Sequence, residues 1–338
     1  MTFNENVQLD TSQVTSGGSA GGTGGLGGGL GGGRGGGRGG GYGGGGNFPG
    51  GIQVGGGIGG LIVLVLLFVF GGGLLGNGGT QSSGGQSQTS TGSLDPAQVA
   101  AGGSQPSAGF AQCKTGADAN KNDQCLVIAT VNSVQSYWAK ALPQYGRQYT
   151  SAKTVLYSGQ TQSGCGTASN QVGPFYCPLD GLVYIDASFF QQLQQDFGSD
   201  GGQLAKEYVI AHEYGHHIQD ILGVLGRAQQ DPQGAESGSV RLELMADCLA
   251  GMWVKNATQT TDAKGTTFLK PISQQDVQSA LSAASAVGDD RIQKASTGRV
   301  NPETWTHGSS AQRQKWFLTG YQSGDLNQCN TFAATNLG

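Results

Sequence analysis

The sequence predicts an α+β domain, a small sheet followed by a mainly helical C-terminal half, behind a disordered glycine-rich tail and one transmembrane helix. Three observations carry this expectation. Of the 64 glycines, 38 precede residue 95, and that stretch holds too few large apolar residues to repay the entropy of folding. One apolar run, Ile52–Leu75, interrupts it. From about residue 105 the composition is globular, with turn-rich β-branched segments first, helical periodicities afterwards, and no βαβ alternation.

The tail is read as residues 1–51, disordered, and the anchor as residues 52–76. No charged residue lies between Arg38 and Asp95, the run is long enough to cross a bilayer, and glycine is tolerated in membrane helices. Its unbroken core, Leu61–Phe70, would suit a signal peptide, but it starts late and no small-residue cleavage site follows. A buried soluble helix would have nothing to pack against between glycine-rich flanks. Arg34 and Arg38 lie on the N-terminal side, so the positive-inside bias puts the tail in the cytoplasm. The expectation is a single-pass cell-membrane protein whose folded domain is extracytoplasmic. Residues 77–104 then form a flexible linker. A net charge of −4 with no long basic run argues against a nucleic-acid partner.

All six cysteines follow the anchor, and no C-x-x-C occurs. An even count suits three disulfides in an oxidising compartment. Locality pairs Cys113 with Cys125, Cys165 with Cys177, and Cys248 with Cys329.

Within residues 105–338 the elements follow in order. "KNDQCLVIATVNSVQSYWAKAL" has apolar residues at helical intervals behind an Asn or Asp cap. "KTVLYSGQTQSGCGTASNQVGPFYCPLDGLVYID" reads as strands joined by turns. A short helix in "ASFFQQLQQDFG" ends at Gly198, and the longest amphipathic helix runs from about Gln203 to Leu225. "SGSVRLELMADCLAGMWVKNA" is helical with Ser237 or Ser239 as cap, and two further helical patterns, "ISQQDVQSALSAASAV" and "SSAQRQKWFLTGYQ", complete the C-terminal half.

The chemistry lies in "AHEYGHHIQD". His212 and His216 stand four apart, so on a helix they are about 40° apart and one turn along the same face. Both imidazoles can converge on one ion, and Zn2+ fits because it takes neutral nitrogen ligands and keeps a position open for water. Glu213 is then placed as general base, at a metal that brings the pKa of water down to about 7. His217 projects about 100° from His216 and reads as a packing residue. A metzincin would continue with Gly and His where Gln219 and Leu222 stand, so the third ligand must be a carboxylate. Glu236 and Glu243 are the candidates. Glu236 sits in a loop-like stretch, whereas Glu243 lies in a helical pattern with Asp247 one turn on, placed to accept from a ligating imidazole. Glu243 is preferred; E-x-x-x-D on a second helix is the gluzincin pattern.

Five stretches, "GCGTASNQVGPFYCPLDGLVYID", "YVIAHEYGHHIQDILG", "SVRLELMADCLAGMW", "VGDDRIQ" and "THGSSAQRQKWFLTGY", resemble the putative neutral zinc metallopeptidase family of bacterial membrane-anchored proteins. They span roughly residues 105–335 in order. The resemblance implies a zincin-like domain, peptidase activity, His212, His216 and Glu243 as metal ligands, and Glu213 as the catalytic residue. Residues 105–338 are accordingly the expected zinc metallopeptidase domain.

Three further expectations concern the surroundings of the metal. His307 is a candidate donor to the developing oxyanion, with helix capping or a satisfied internal hydrogen bond as the alternatives. Val183, Tyr184 and Ile185 are expected on an edge strand that pairs with the substrate backbone. Arg291 is expected to pair with Asp289 or Asp290. The function expected is hydrolysis of a peptide or protein substrate, with a lipid bilayer as partner through residues 52–76. The alternatives are a non-proteolytic zinc-binding envelope scaffold or peptide-binding module, and a zinc hydrolase acting on a non-peptide bond. Oligomeric state is not legible.

Overall fold

A computed structural model describes residues 2–17 and 108–338. The sheet strands are β1 (Val14–Ser16), β2 (Thr154–Tyr157), β5 (Phe175–Cys177) and β6 (Leu182–Asp186), in the spatial order β1-β2-β6-β5. β1, β2 and β6 are parallel, and β5 runs antiparallel to β6. β3 (Gln160–Ser163) and β4 (Gly166–Ser169) form a separate hairpin, and the disulfide Cys165–Cys177 ties it to β5. The helices are α1 (Gly116–Ala119), α2 (Asp123–Ala141), α3 (Phe189–Gln195), α4 (Gln203–Leu222), α5 (Arg227–Gln230), α6 (Gly238–Asn256), α7 (Gln274–Ala286), α8 (Asp289–Thr297) and α9 (Ser310–Ser323). The fold is α+β, with a small sheet and a helical C-terminal half.

Local signals set the two long helices that matter most. α4 stops at Gly223, whose φ of 74° closes the last turn in the left-handed region. α6 starts at Ser237, whose hydroxyl accepts from the Val240 amide. α6 is apolar on nearly every side and is buried along almost its whole length. α4 packs on one flank and α9 on another, and both approaches are close because of glycine. A Cβ on Gly215 of α4 would sit 3.0 Å from the Ala246 backbone, and one on Gly320 of α9 only 1.8 Å from the Cys248 carbonyl oxygen. Cys248–Cys329 fastens α6 to the C-terminal segment, and Cys113–Cys125 fastens the start of α2. The three pairs are those expected from locality.

Three expectations change. Residues 2–17, read as part of a disordered tail, belong to the fold. Phe3 and Val7 are fully buried, Val14 is buried, and β1 adds to the sheet. β6, expected at an edge, is central. Its backbone is paired on both sides, and Val183, Tyr184 and Ile185 are buried, so these residues cannot pair with a substrate. Arg291 donates to the Gly198 carbonyl, while Asp289 accepts from the segment before α9 and Asp290 from Ser310, the first residue of α9. Among the described residues no helix is long and apolar enough to cross a membrane; the anchor expected at 52–76 lies outside them, as does the linker expected at 77–104.

Candidate metal centre

Two buried helices bring the centre together. α4 carries His212, Glu213 and His216, and α6 carries Glu243 and Asp247, facing across the close contact at Gly215. Each imidazole is held by its Nδ1. His212 Nδ1 lies 2.9 Å from Asp247 Oδ1, and His216 Nδ1 lies 2.9 Å from Gln219 Oε1. Since both partners accept, both Nδ1 atoms carry hydrogen, and the Nε2 atoms are left to face inward. His212 Nε2 is 3.2 Å from Glu243 Oε2, and His216 Nε2 is 3.4 Å from Glu243 Oε1. One donor atom each from His212, His216 and Glu243 falls within 4.8 Å of the others. Two fixed imidazoles and one carboxylate, all converging, form a donor set that fits zinc with a position to spare.

The electrostatics of the protein without an ion follow from the same contacts. Burial opposes charge on His212, but hydrogen bonds and attraction to Asp247 and Glu243 outweigh it and hold the imidazole up at about 10. Burial would raise Glu243, yet His216 and His212 hold its carboxyl well below the usual range. Glu213 goes the other way. Burial raises it more than the neighbouring histidines lower it, which suits a group that must take and release a proton.

An Arg–Asp pair backs the centre. Arg313 of α9 donates to Asp247 through Nε and Nη2, both at 2.9 Å, and through Nη2 to the Tyr208 hydroxyl at 3.2 Å. The Tyr208 hydroxyl in turn donates to Asp247. Burial alone would raise Asp247, but Arg313 and His212 keep it ionised. Asp247 therefore spends one oxygen on orienting His212 and both on a buried guanidinium.

The centre opens into a cleft lined by Val172, Pro174 and Phe175 on one side and by Phe189, Val209 and Leu225 elsewhere. β5 forms the end of the sheet here, with one side paired to β6. His307 lines the same cleft. Its Nδ1 lies 3.3 Å from Asp289 Oδ1, and Asp289 Oδ2 accepts the amides of Thr306, His307 and Gly308. Burial lowers the His307 pKa, but attraction and hydrogen bonding to Asp289 more than restore it, so the net direction is upward. The capping alternative does not hold, because the N-cap of α9 is Ser309.

A family described as putative neutral zinc metallopeptidase matches residues 26–332. The chain belongs to this family. The uncharacterized protein Rv2575 of Mycobacterium tuberculosis is 58% identical over 234 residues, 69% of this chain and 78% of that protein. The uncharacterized protein YpfJ of Escherichia coli K12 is 43% identical over 212 residues, 61% of this chain and 69% of its own. No solved structure matches at a significant level.

The structure brings His212, Glu213, His216, Glu243 and His307 of this metallopeptidase-family chain to one cleft, with Asp247 fully buried behind His212. Glu236, the rejected ligand candidate, is exposed beside Arg241. His217 turns away, its Nε2 donating to the Thr150 carbonyl at 2.6 Å. Four residues were not read from the sequence: Gln219, Tyr208, Asp289 as partner of His307, and Arg313. Gln219 and Tyr208 stand three and four residues from a ligand, so helical spacing could have found them. Arg313 had no such signal.

Proposed function

We propose that the chain is a zinc-dependent endopeptidase. The carrying observation is the convergence of His212 Nε2, His216 Nε2 and the Glu243 carboxylate beside Glu213, at the floor of an open apolar cleft. Bound there, zinc would supply Lewis acidity and make water nucleophilic near neutral pH. The carboxylate of Glu213 takes the proton of the attacking water and passes it to the leaving amine. His307, whose Nδ1 lies against Asp289, donates to the oxyanion that develops on the scissile carbonyl. The open side of β5 offers backbone groups to an extended peptide, the role first expected of Val183–Ile185. Apolar walls at Phe175, Phe189 and Val209 favour an apolar side chain next to the cleaved bond.

Three disulfides support a position outside the reducing cytoplasm, and residues 52–76 are the proposed contact with a lipid bilayer. The test is metal content and cleavage of an unfolded protein mixture by the full chain. Glu213→Gln should keep zinc and lose cleavage by at least about 100-fold, the contribution of a positioned general base. Glu243→Ala should lose the metal. Unchanged cleavage by Glu213→Gln would remove this mechanism, and bound zinc without cleavage of any peptide library would favour the scaffold.

A further inference from the structure

The N-terminal arm is gripped at two places by the same device. Asn120 accepts the Phe3 amide on Oδ1 at 2.8 Å and donates Nδ2 to the Phe3 carbonyl at 3.0 Å. Asn132, at the middle of α2, treats Asp10 identically, with 2.8 Å to its amide and 3.0 Å to its carbonyl. A side-chain amide that closes on both polar groups of one residue recognises extended backbone rather than a side chain. Between and beyond these clamps the arm inserts Phe3, Val7 and Val14. The Asn4 side chain donates to the Thr267 carbonyl at 2.7 Å, and the arm ends with the Gly17 amide donating to the Leu156 carbonyl at 2.9 Å. Register on β2 is fixed, Val14 opposite Thr154 and Ser16 opposite Leu156. The contact therefore combines backbone recognition, apolar anchors and strand addition, the ingredients of a peptide-docking surface.

We infer that Asn120, Asn132 and the edge of β2 form a receptor for the chain's own N-terminal arm, and that the arm and the catalytic domain share one side of any membrane. The second part follows from the first by connectivity. A helical crossing takes about 20 apolar residues, so the apolar stretch 52–76 suffices for one crossing and not for two. A single crossing puts Gly17 and the domain on opposite faces of a bilayer. The pairing of Gly17 with Leu156 excludes that arrangement for as long as the arm is docked. An arm from a second, equally oriented copy meets the same barrier.

The native cysteines are all paired, so one introduced cysteine is the sole thiol of the chain. Full-length Asn6→Cys, on the exposed part of the arm, and Lys264→Cys, on an exposed loop of the domain, are treated in intact cells with a membrane-impermeant maleimide. The same treatment is repeated after lysis. Both thiols should behave alike, labelled or protected together. Labelling of one in intact cells and of the other after lysis alone overturns the inference. A second variant, Thr15→Cys with Val155→Cys, should form a cross-link within one chain, and that cross-link should be lost when Asn120→Ala and Asn132→Ala are added. A cross-linked dimer, no cross-link, or one indifferent to the asparagines overturns the receptor.

Discussion

Asp247 and Gln219 would act on a bound metal through the histidines they hold, so their loss should be felt as affinity rather than as a missing ligand. Asp247→Asn and Gln219→Ala are each expected to weaken zinc binding about 10–100-fold, read by competition with a chromogenic chelator. Glu207 makes a different prediction. It is fully buried on α4, Gln203 serves one oxygen, and the other has no hydrogen-bond partner among the described residues. Burial pushes its carboxyl up from 4.5 to about 8. Between those values the folded chain holds a proton that the unfolded chain has released, so stability falls as pH rises from 4.5 to about 8 and is flat above. Glu207→Gln should remove that fall, leaving Tm nearly unchanged at pH 5 and raising it at pH 8, by a stability gain of order a few kcal/mol. Equal Tm differences at the two pH values would contradict the assignment. At this scale the sequence was most legible where chemistry follows the helix repeat. His212 and His216 stand one turn apart on α4, as do Glu243 and Asp247 on α6, so each pair was legible from spacing. The meeting of the two pairs comes from the packing of α4 on α6. Arg313 lies far along the chain from Asp247 and meets it through packing alone.

The elements depend on how closely the helices around α6 approach. Gly320 leaves no room for a methyl group against the Cys248 carbonyl, and Gly251 leaves none against Phe317. Gly320→Ala must therefore separate α9 from α6, at a cost of about 1–3 kcal/mol or more, seen as a lower Tm. The same displacement carries Arg313 away from Asp247, so zinc affinity should fall with stability. Gly215→Ala, where the gap is less tight, should cost less. Helix positions were legible because α4 and α6 are long and periodic, and Ser237 was one of two caps named for α6, whereas α4 was carried to Leu225, past the Gly223 that closes it. Strand order was not. A run such as "GLVYID" announces a buried strand, but nothing in it says whether one neighbour or two will pair with it. β5 has three residues preceded by Gly173-Pro174, and its turn chemistry hides the strand that borders the cleft.

For the whole molecule, the arm was invisible for a compositional reason. Phe3, Val7 and Val14 are sparse within residues 1–51, and averaging them with the glycines that follow erases the signal. The disulfides were legible because all six cysteines had partners in one compartment-appropriate set. Cys248–Cys329 closes 81 residues of sequence, and replacing both with Ala should cost about 4–5 kcal/mol on the chain-entropy account, measured as a drop in denaturation midpoint. That bond also has a practical meaning. Cys248 directly follows Asp247, so the residue that orients His212 and the sulfur that fastens α6 share one turn of helix. A thiol reductant works on that turn from one end and a chelator from the other. On the zinc-peptidase proposal, an activity screen should begin from material that has met neither.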